Sequence, residues 1–168
     1  MTEFCRLVPL SRIGSEGYRQ TIEATAEERG QLALRFGLIA LDRLVATVAL
    51  RRQSGGTFEL EAAFGAEFAQ ECVVSLEPVH GAVAQSFTLV YGPSGDAASE
   101  LELDAEETAF EPLHGDAVDI GEAVAQELSL ALPPFPRDPD AMLDEAATAA
   151  PEENVFGALA RWRDREQE

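Results

Sequence analysis

The sequence predicts an α+β fold: a mainly antiparallel β-sheet meander covered by one or two helices, with a linker and a short C-terminal helix. Three observations carry this. The stretch Leu41 to Tyr91 alternates apolar and polar residues at a period of two, broken by short turns, and strands joined by such turns pair antiparallel. Helical spacing with capping signals appears on either side of it, after Thr25 and after Asp119. A stretch rich in Pro, Ala, Asp and Glu, residues 133–153, then separates the domain from a last apolar stripe. The expected organisation is a domain over 1–132, with a mobile acidic loop at about 93–115, followed by 133–168 as linker and interaction helix.

Taken in order, Phe4 to Leu10 suits a strand with Phe4, Arg6 and Val8 on one face, and Gly14 and Gly17 mark a loop. Tyr18 to Ala24 suits a second short strand. Thr25-Ala26-Glu27-Glu28 is a capping box that opens a helix to about Phe36, closed by Gly37, with Leu32, Ala33 and Phe36 on one side. Four strands are expected next. Leu44, Ala46, Val48 and Leu50 share a face of the first, and Ser54-Gly55-Gly56 reverses the chain. In the second, Phe58, Leu60, Phe64 and Phe68 oppose Glu59, Glu61 and Glu67. Cys72, Val74 and Leu76 form the third, and His80-Gly81 turns into the fourth, Val83 to Tyr91. After the acidic loop, with a short extended piece at Leu101 to Leu103, Asp119-Ile120-Gly121-Glu122 is a second capping box. It opens a helix to about Leu132 with Ile120, Val124, Leu128 and Ala131 on its sheet-facing side, stopped by Pro133-Pro134. Asn154 caps the final helix.

Charge restricts function. The net charge is −19, with no Lys in the chain. Residues 53–136 carry sixteen acids and no Arg. Such a segment repels phosphate backbones, whose affinity for proteins rests on Lys and Arg displacing counterions, and it attracts a basic partner. No apolar run approaches the roughly 20 residues of a membrane span. Two cysteines, Cys5 and Cys72, make no disulfide framework, and a cytoplasmic setting is expected.

Signals for catalysis are sparse. His80 and His114 are the two histidines, no Ser lies in a Gly-x-Ser-x-Gly elbow, and Glu59, Glu61 and Glu67 fit a solvated sheet face better than a tuned acid. Neither enzyme activity nor a cofactor is expected. Cys72 and Ser75 stand at the spacing of a Cys-x-x-Cys half-site, but the serine removes the second thiolate of a zinc knuckle, so no metal is expected. Cys72 is expected to pack as a small hydrophobe under the sheet. The strongest interaction signal is C-terminal: Phe156, Leu159 and Trp162 form a stripe beside Arg161 and Arg163, and aromatic and Arg side chains dominate binding hot spots.

The succession Arg35-Phe36-Gly37-Leu38 to Leu44, Glu71-Cys72, Val118-Asp119-Ile120-Gly121-Glu122 through Pro133, and Asn154-Val155-Phe156-Gly157-Ala158-Leu159 resembles the YceD-type family of large ribosomal RNA subunit accumulation proteins. The resemblance implies a cytoplasmic, non-enzymatic factor needed for accumulation of 23S ribosomal RNA. Many relatives carry Glu-Cys-x-x-Cys and a later Cys, whereas this chain has Ser75 and no later Cys. The expected partner is a basic ribosomal protein or a large-subunit assembly intermediate, with any effect on RNA indirect, and neither membrane nor DNA is involved. The alternative is direct ribosomal RNA contact through Arg6, Arg12, Arg19, Arg35, Arg43, Arg51 and Arg52, which requires these to converge.

Overall fold

A computed structural model of the chain describes residues 3–93, 111–113 and 115–142. Its architecture is α+β. Strands β2 (Tyr18–Glu23), β3 (Ala40–Arg52), β4 (Phe58–Glu71), β5 (Pro78–Pro93) and β6 (Glu111–Leu113) lie in that order in a five-stranded sheet. The first four pair antiparallel and β6 adds in parallel to β5. A separate two-stranded ribbon joins β1 (Leu7–Pro9) to β7 (Ala117–Asp119). Helices α1 (Ala26–Phe36) and α2 (Ile120–Ala131) complete it. No described helix is long and apolar enough to cross a membrane.

The period-two pattern sets which face is buried. Leu44, Ala46, Val48 and Leu50 of β3 and Phe58, Leu60, Phe64 and Phe68 of β4 are buried with Ile22 of β2. They meet Leu32 and Ala33 of α1, Ile120, Val124 and Leu128 of α2, and Phe4, Val8 and Val118 of the N-terminal segment and ribbon. Each buried Phe contributes roughly 1.5–3 kcal/mol through lost apolar exposure. Phe64 adds an edge-to-face contact with Phe87, centroids 6.2 Å apart.

Local chemistry fixes the helix ends. Thr25 accepts from the Glu28 amide while Glu28 accepts from the Thr25 amide, and Gly37 closes α1 at φ 66°. At α2 the expectation of a reciprocal box needs correcting. Asp119 caps the helix by accepting from the Gly121 and Glu122 amides, but the Glu122 carboxylate turns to Arg35 instead of back to the cap. A charge-assisted bidentate pair outcompetes the local amide.

The four-strand expectation also needs correcting. Three long strands form the meander, and Cys72 to Glu77 is the loop between β4 and β5, closed by the Cys72 amide donating to the Glu77 carbonyl. Leu76 sits there at φ 62°, which no strand accommodates. The Cys72, Val74, Leu76 alternation mimicked a strand because a wide loop can also carry branched side chains. His80 and Gly81 lie within β5, opposite Ala69 and Phe68, where Gly81 leaves room for the Phe68 ring. The piece expected at Leu101 to Leu103, most of the acidic loop and the C-terminal helix lie outside the described residues.

Candidate functional site

Charged side chains gather first where the two helices meet the N-terminus. Arg6 donates to both Glu28 carboxylate oxygens, at 2.6 and 2.9 Å. That hydrogen bond, against some burial and with help from Thr25, holds the Glu28 carboxyl down at about 2. The Arg6 amide donates to Asp119 at 2.8 Å, tying the first strand to the α2 cap. Arg35 bridges the helices, donating to Glu122 at 2.7 and 2.9 Å and to Glu3 at 3.1 Å. Its guanidinium depresses the Glu122 pKa and its own is raised. Gly121 permits this junction: a Cβ there would stand 2.1 Å from the Phe4 carbonyl oxygen.

The uncovered face of the sheet is the second region. Glu61 and Glu67 are exposed on it, with Glu59 half-buried, and Arg43 and Arg51 lie across from them. Arg43 reaches Glu67 at 3.6 Å and Arg51 reaches Glu61 at 3.5 Å. Between them runs a shallow trough of about 530 Å³ lined by small side chains, Thr47, Ala49, Ala63 and Ser86 among them. Arg52 lies over the Phe58 ring, 5.0 Å from its centroid. The seven arginines offered as an RNA patch are thus divided between the helix junction, the open face and the sheet rim, and four of them sit against carboxylates.

The β4–β5 loop is the third. Cys72 is buried, though not as a hydrophobe packed beneath the sheet. Its Sγ accepts the amides of Val74, Ser75 and Asp138, each at 3.4 Å. The Ser75 side chain and these amides lower the thiol pKa to about 7. The arrangement holds one sulfur where a tetrahedral thiolate site needs several ligands, and Ser75 offers a hydroxyl in place of the second thiolate. No group of three or more His, Cys, Asp and Glu side chains suited to a metal occurs among the described residues. The residues do not fit a zinc knuckle.

A strap formed by residues 133–142 follows α2 and returns to this loop. Gln70 donates to the Pro133 carbonyl at 3.2 Å, Val73 to the Pro136 carbonyl at 2.9 Å, and Asp138 to Cys72. Around the loop stand large apolar side chains in water: Val73 (53% exposed), Leu76 (68%) and Phe135 (79%). Sequence reasoning missed them. The alternation places Val73 and Leu76 in a strand and the composition places Phe135 in a linker, and nothing short of the loop geometry marks them as displayed.

Of the predicted site residues, Phe156, Leu159, Arg161, Trp162 and Arg163 lie outside the described residues, as does His114. His80 is exposed on β5. No polar or charged residue is buried among those described, with Cys72 buried as the exception among titratable side chains. The described residues thus form a sheet with one covered face, an outer face that carries paired charges, and an apolar loop end.

Residues 60–161, more than half of the chain, match the family described as large ribosomal RNA subunit accumulation protein YceD. The chain belongs to the YceD family. That family is described by the accumulation of a ribosomal RNA rather than by a reaction, and it supports a role in ribosome biogenesis here. No curated protein and no solved structure matches the chain.

Proposed function

We propose that this chain is a non-enzymatic, cytoplasmic factor for accumulation of 23S ribosomal RNA that acts by binding a basic ribosomal protein, free or within a large-subunit assembly intermediate. The observation that carries the reading is the distribution of charge. With a net charge of −19, and with Arg6, Arg35, Arg43 and Arg51 each set against a carboxylate, the balance of charge disfavours a phosphate backbone, leaving Arg12, Arg19 and Arg52 of the seven as the exposed arginines through which RNA could be met. A basic protein meets the opposite situation, in which acidic surface steers encounter and apolar anchors slow release. The C-terminal Phe156, Leu159 and Trp162, flanked by Arg161 and Arg163, supply such anchors in this reading.

Affinity capture from cells, with ribosomal proteins and RNA both quantified, tests it. Wild-type protein is expected to retain a basic ribosomal protein after nuclease treatment. Phe156→Ala with Trp162→Ala is expected to weaken capture and lower 23S ribosomal RNA, with the melting temperature nearly unchanged. Capture that nuclease abolishes, with crosslinks from Arg12, Arg19 or Arg52 to RNA, establishes direct RNA contact and overturns the reading.

A further inference from the structure

The loop end of the sheet combines three features that the fold itself does not require. First, its exposed apolar side chains are carried by segments that backbone hydrogen bonds bring to the same end of the sheet. The Ile39 amide donates to the Ala69 carbonyl at 2.8 Å, which sets Ile39 beside the end of β4, and the Val73 amide donates to Pro136, which sets Phe135 beside the loop. Ile39 is 51% exposed and Leu34, across a groove from it, 84%. That groove, about 350 Å³ between α1 and the start of β3, is floored by Gly30 and Ala33, so a side chain can enter it. Second, Leu76 holds a left-handed backbone at φ 62°. L-residues with a full side chain avoid this region, and strain of this kind concentrates at functional sites. Here the side chain that the strain positions is 68% exposed, so burial does not offset it. Third, the margin is acidic: Asp42, Glu71, Glu77 and Asp140 are exposed around it, with Arg137 on the strap.

We propose that this end, centred on Leu76, Val73, Ile39, Leu34 and Phe135, docks a basic amphipathic segment of the partner protein. Such a segment would have apolar residues on one side and Lys or Arg on the other. The inference rests on the reading above and names a surface for it within the described domain, separate from the C-terminal stripe. An apolar centre with an acidic margin complements that segment and disfavours the other occupants. A second copy of a chain at −19 brings like charge to an acidic margin, and a phosphate backbone is repelled by the same carboxylates.

The test uses the full-length protein and a fluorescent 18-residue peptide of Leu and Lys patterned as an amphipathic helix, read by anisotropy. A peptide of the same composition with scrambled order is the control for charge alone. The amphipathic peptide is expected to bind at least ten-fold tighter than the scrambled one. Ile39→Asp with Leu76→Asp is expected to weaken it ten-fold or more at a melting temperature no lower than that of the wild type, since Asp, like Asn, tolerates the left-handed backbone at position 76. Leu7→Asp, exposed beside Tyr91 at the far end of β5, is expected to leave binding unchanged. Equal binding of both peptides, or no loss in the double variant, overturns the proposal. So does an affinity for the amphipathic peptide that rises ten-fold when residues 143–168 are deleted, because the chain's own tail is then the occupant. The cellular arm separates this proposal from the reading beneath it. If the double variant still captures a basic ribosomal protein, the docking surface is wrong and the reading stands. If wild type captures none, the reading itself fails.

Discussion

The helix junction and the loop end of the sheet treat their side chains in opposite ways. At the junction, Arg6, Glu28, Asp119, Arg35, Glu122 and Glu3 are matched to one another, and a glycine lets α2 approach the Phe4 backbone closely. Little there is left to offer a partner. At the loop end the backbone is also tied down, through the bonds to Pro133, Pro136 and Cys72, yet its large apolar side chains are exposed. The contrast separates two uses of order. The junction is ordered to hold the sheet and helices together. In the docking proposal the loop end is ordered to present a surface, with a leucine in a conformation that leucine disfavours.

The largest expected effect tests the junction. Gly121→Ala places a methyl group 2.1 Å from the Phe4 carbonyl, and because that neighbour is backbone it cannot swing aside. Either α2 or the N-terminal segment has to move, breaking the bonds of Arg6 to Asp119 and Arg35 to Glu122. Urea denaturation is expected to show a loss of about 3 kcal/mol, high in the range for forced overpacking. A loss under about 1 kcal/mol would mean the N-terminal segment is loosely held and the junction is no clamp.

The intermediate effect has the opposite sign and tests the loop end. Leu76→Asn replaces a residue that disfavours the left-handed region with one that tolerates it, and removes little buried surface because Leu76 is mostly exposed. Stability is expected to rise by about 1 kcal/mol, the lower end of the strain estimate for an L-residue in that region. A variant that is stabilised and yet loses partner binding would show that Leu76 serves recognition at a cost to the fold. A destabilised variant would mean that Leu76 packs, and the contrast between the two regions would fail.

The difference between the regions also explains what the sequence reveals. The core was legible because it repeats a pattern: Phe58, Leu60, Phe64 and Phe68 share a face only if the segment is a strand, and Thr25 with Glu28 marks a helix start through chemistry contained in four residues. The loop end was not legible, because nothing local separates Cys72-Val73-Val74-Ser75-Leu76 in a strand from the same residues in a loop. The answer lies in the pairing of Glu71 with Pro78, a tertiary fact. The same holds for Glu122. Its spacing from Asp119 specifies a capping box, and only the arrival of Arg35, 87 residues earlier in the chain, redirects it. The strap was hidden for a similar reason. Proline and acid content describes a segment lacking its own regular structure, and says nothing of Gln70, Val73 and Cys72 waiting to receive it.

The smallest expected effect returns to the junction and asks whether its charges matter apart from its hydrogen bonds. Glu28→Gln is suited to this, because glutamine at the third helical position still completes the capping box with Thr25 while losing the charge that faces Arg6. The sign follows from the direction of the shift. The Glu28 carboxyl lies at about 2 in the folded protein, below its ordinary 4.5, so protons bind the unfolded chain more readily. Its contribution is therefore complete above about pH 4.5 and is lost as the pH falls toward about 2. Because the pair is partly open to solvent and screened by salt, the cost of the substitution at pH 7 is expected to stay below about 1 kcal/mol. The informative quantity is the difference in melting temperature between wild type and variant, followed from pH 6 down to pH 2.5. It is expected to be constant above pH 5 and to shrink below it, and to be smaller throughout at high salt. A difference independent of pH would assign the loss to altered packing of Arg6 against Phe4, whose ring lies 4.7 Å from the guanidinium. In that case the junction would be held by shape, like the core beneath it, and its matched charges would serve chiefly to keep Arg6 and Arg35 from presenting a positive surface.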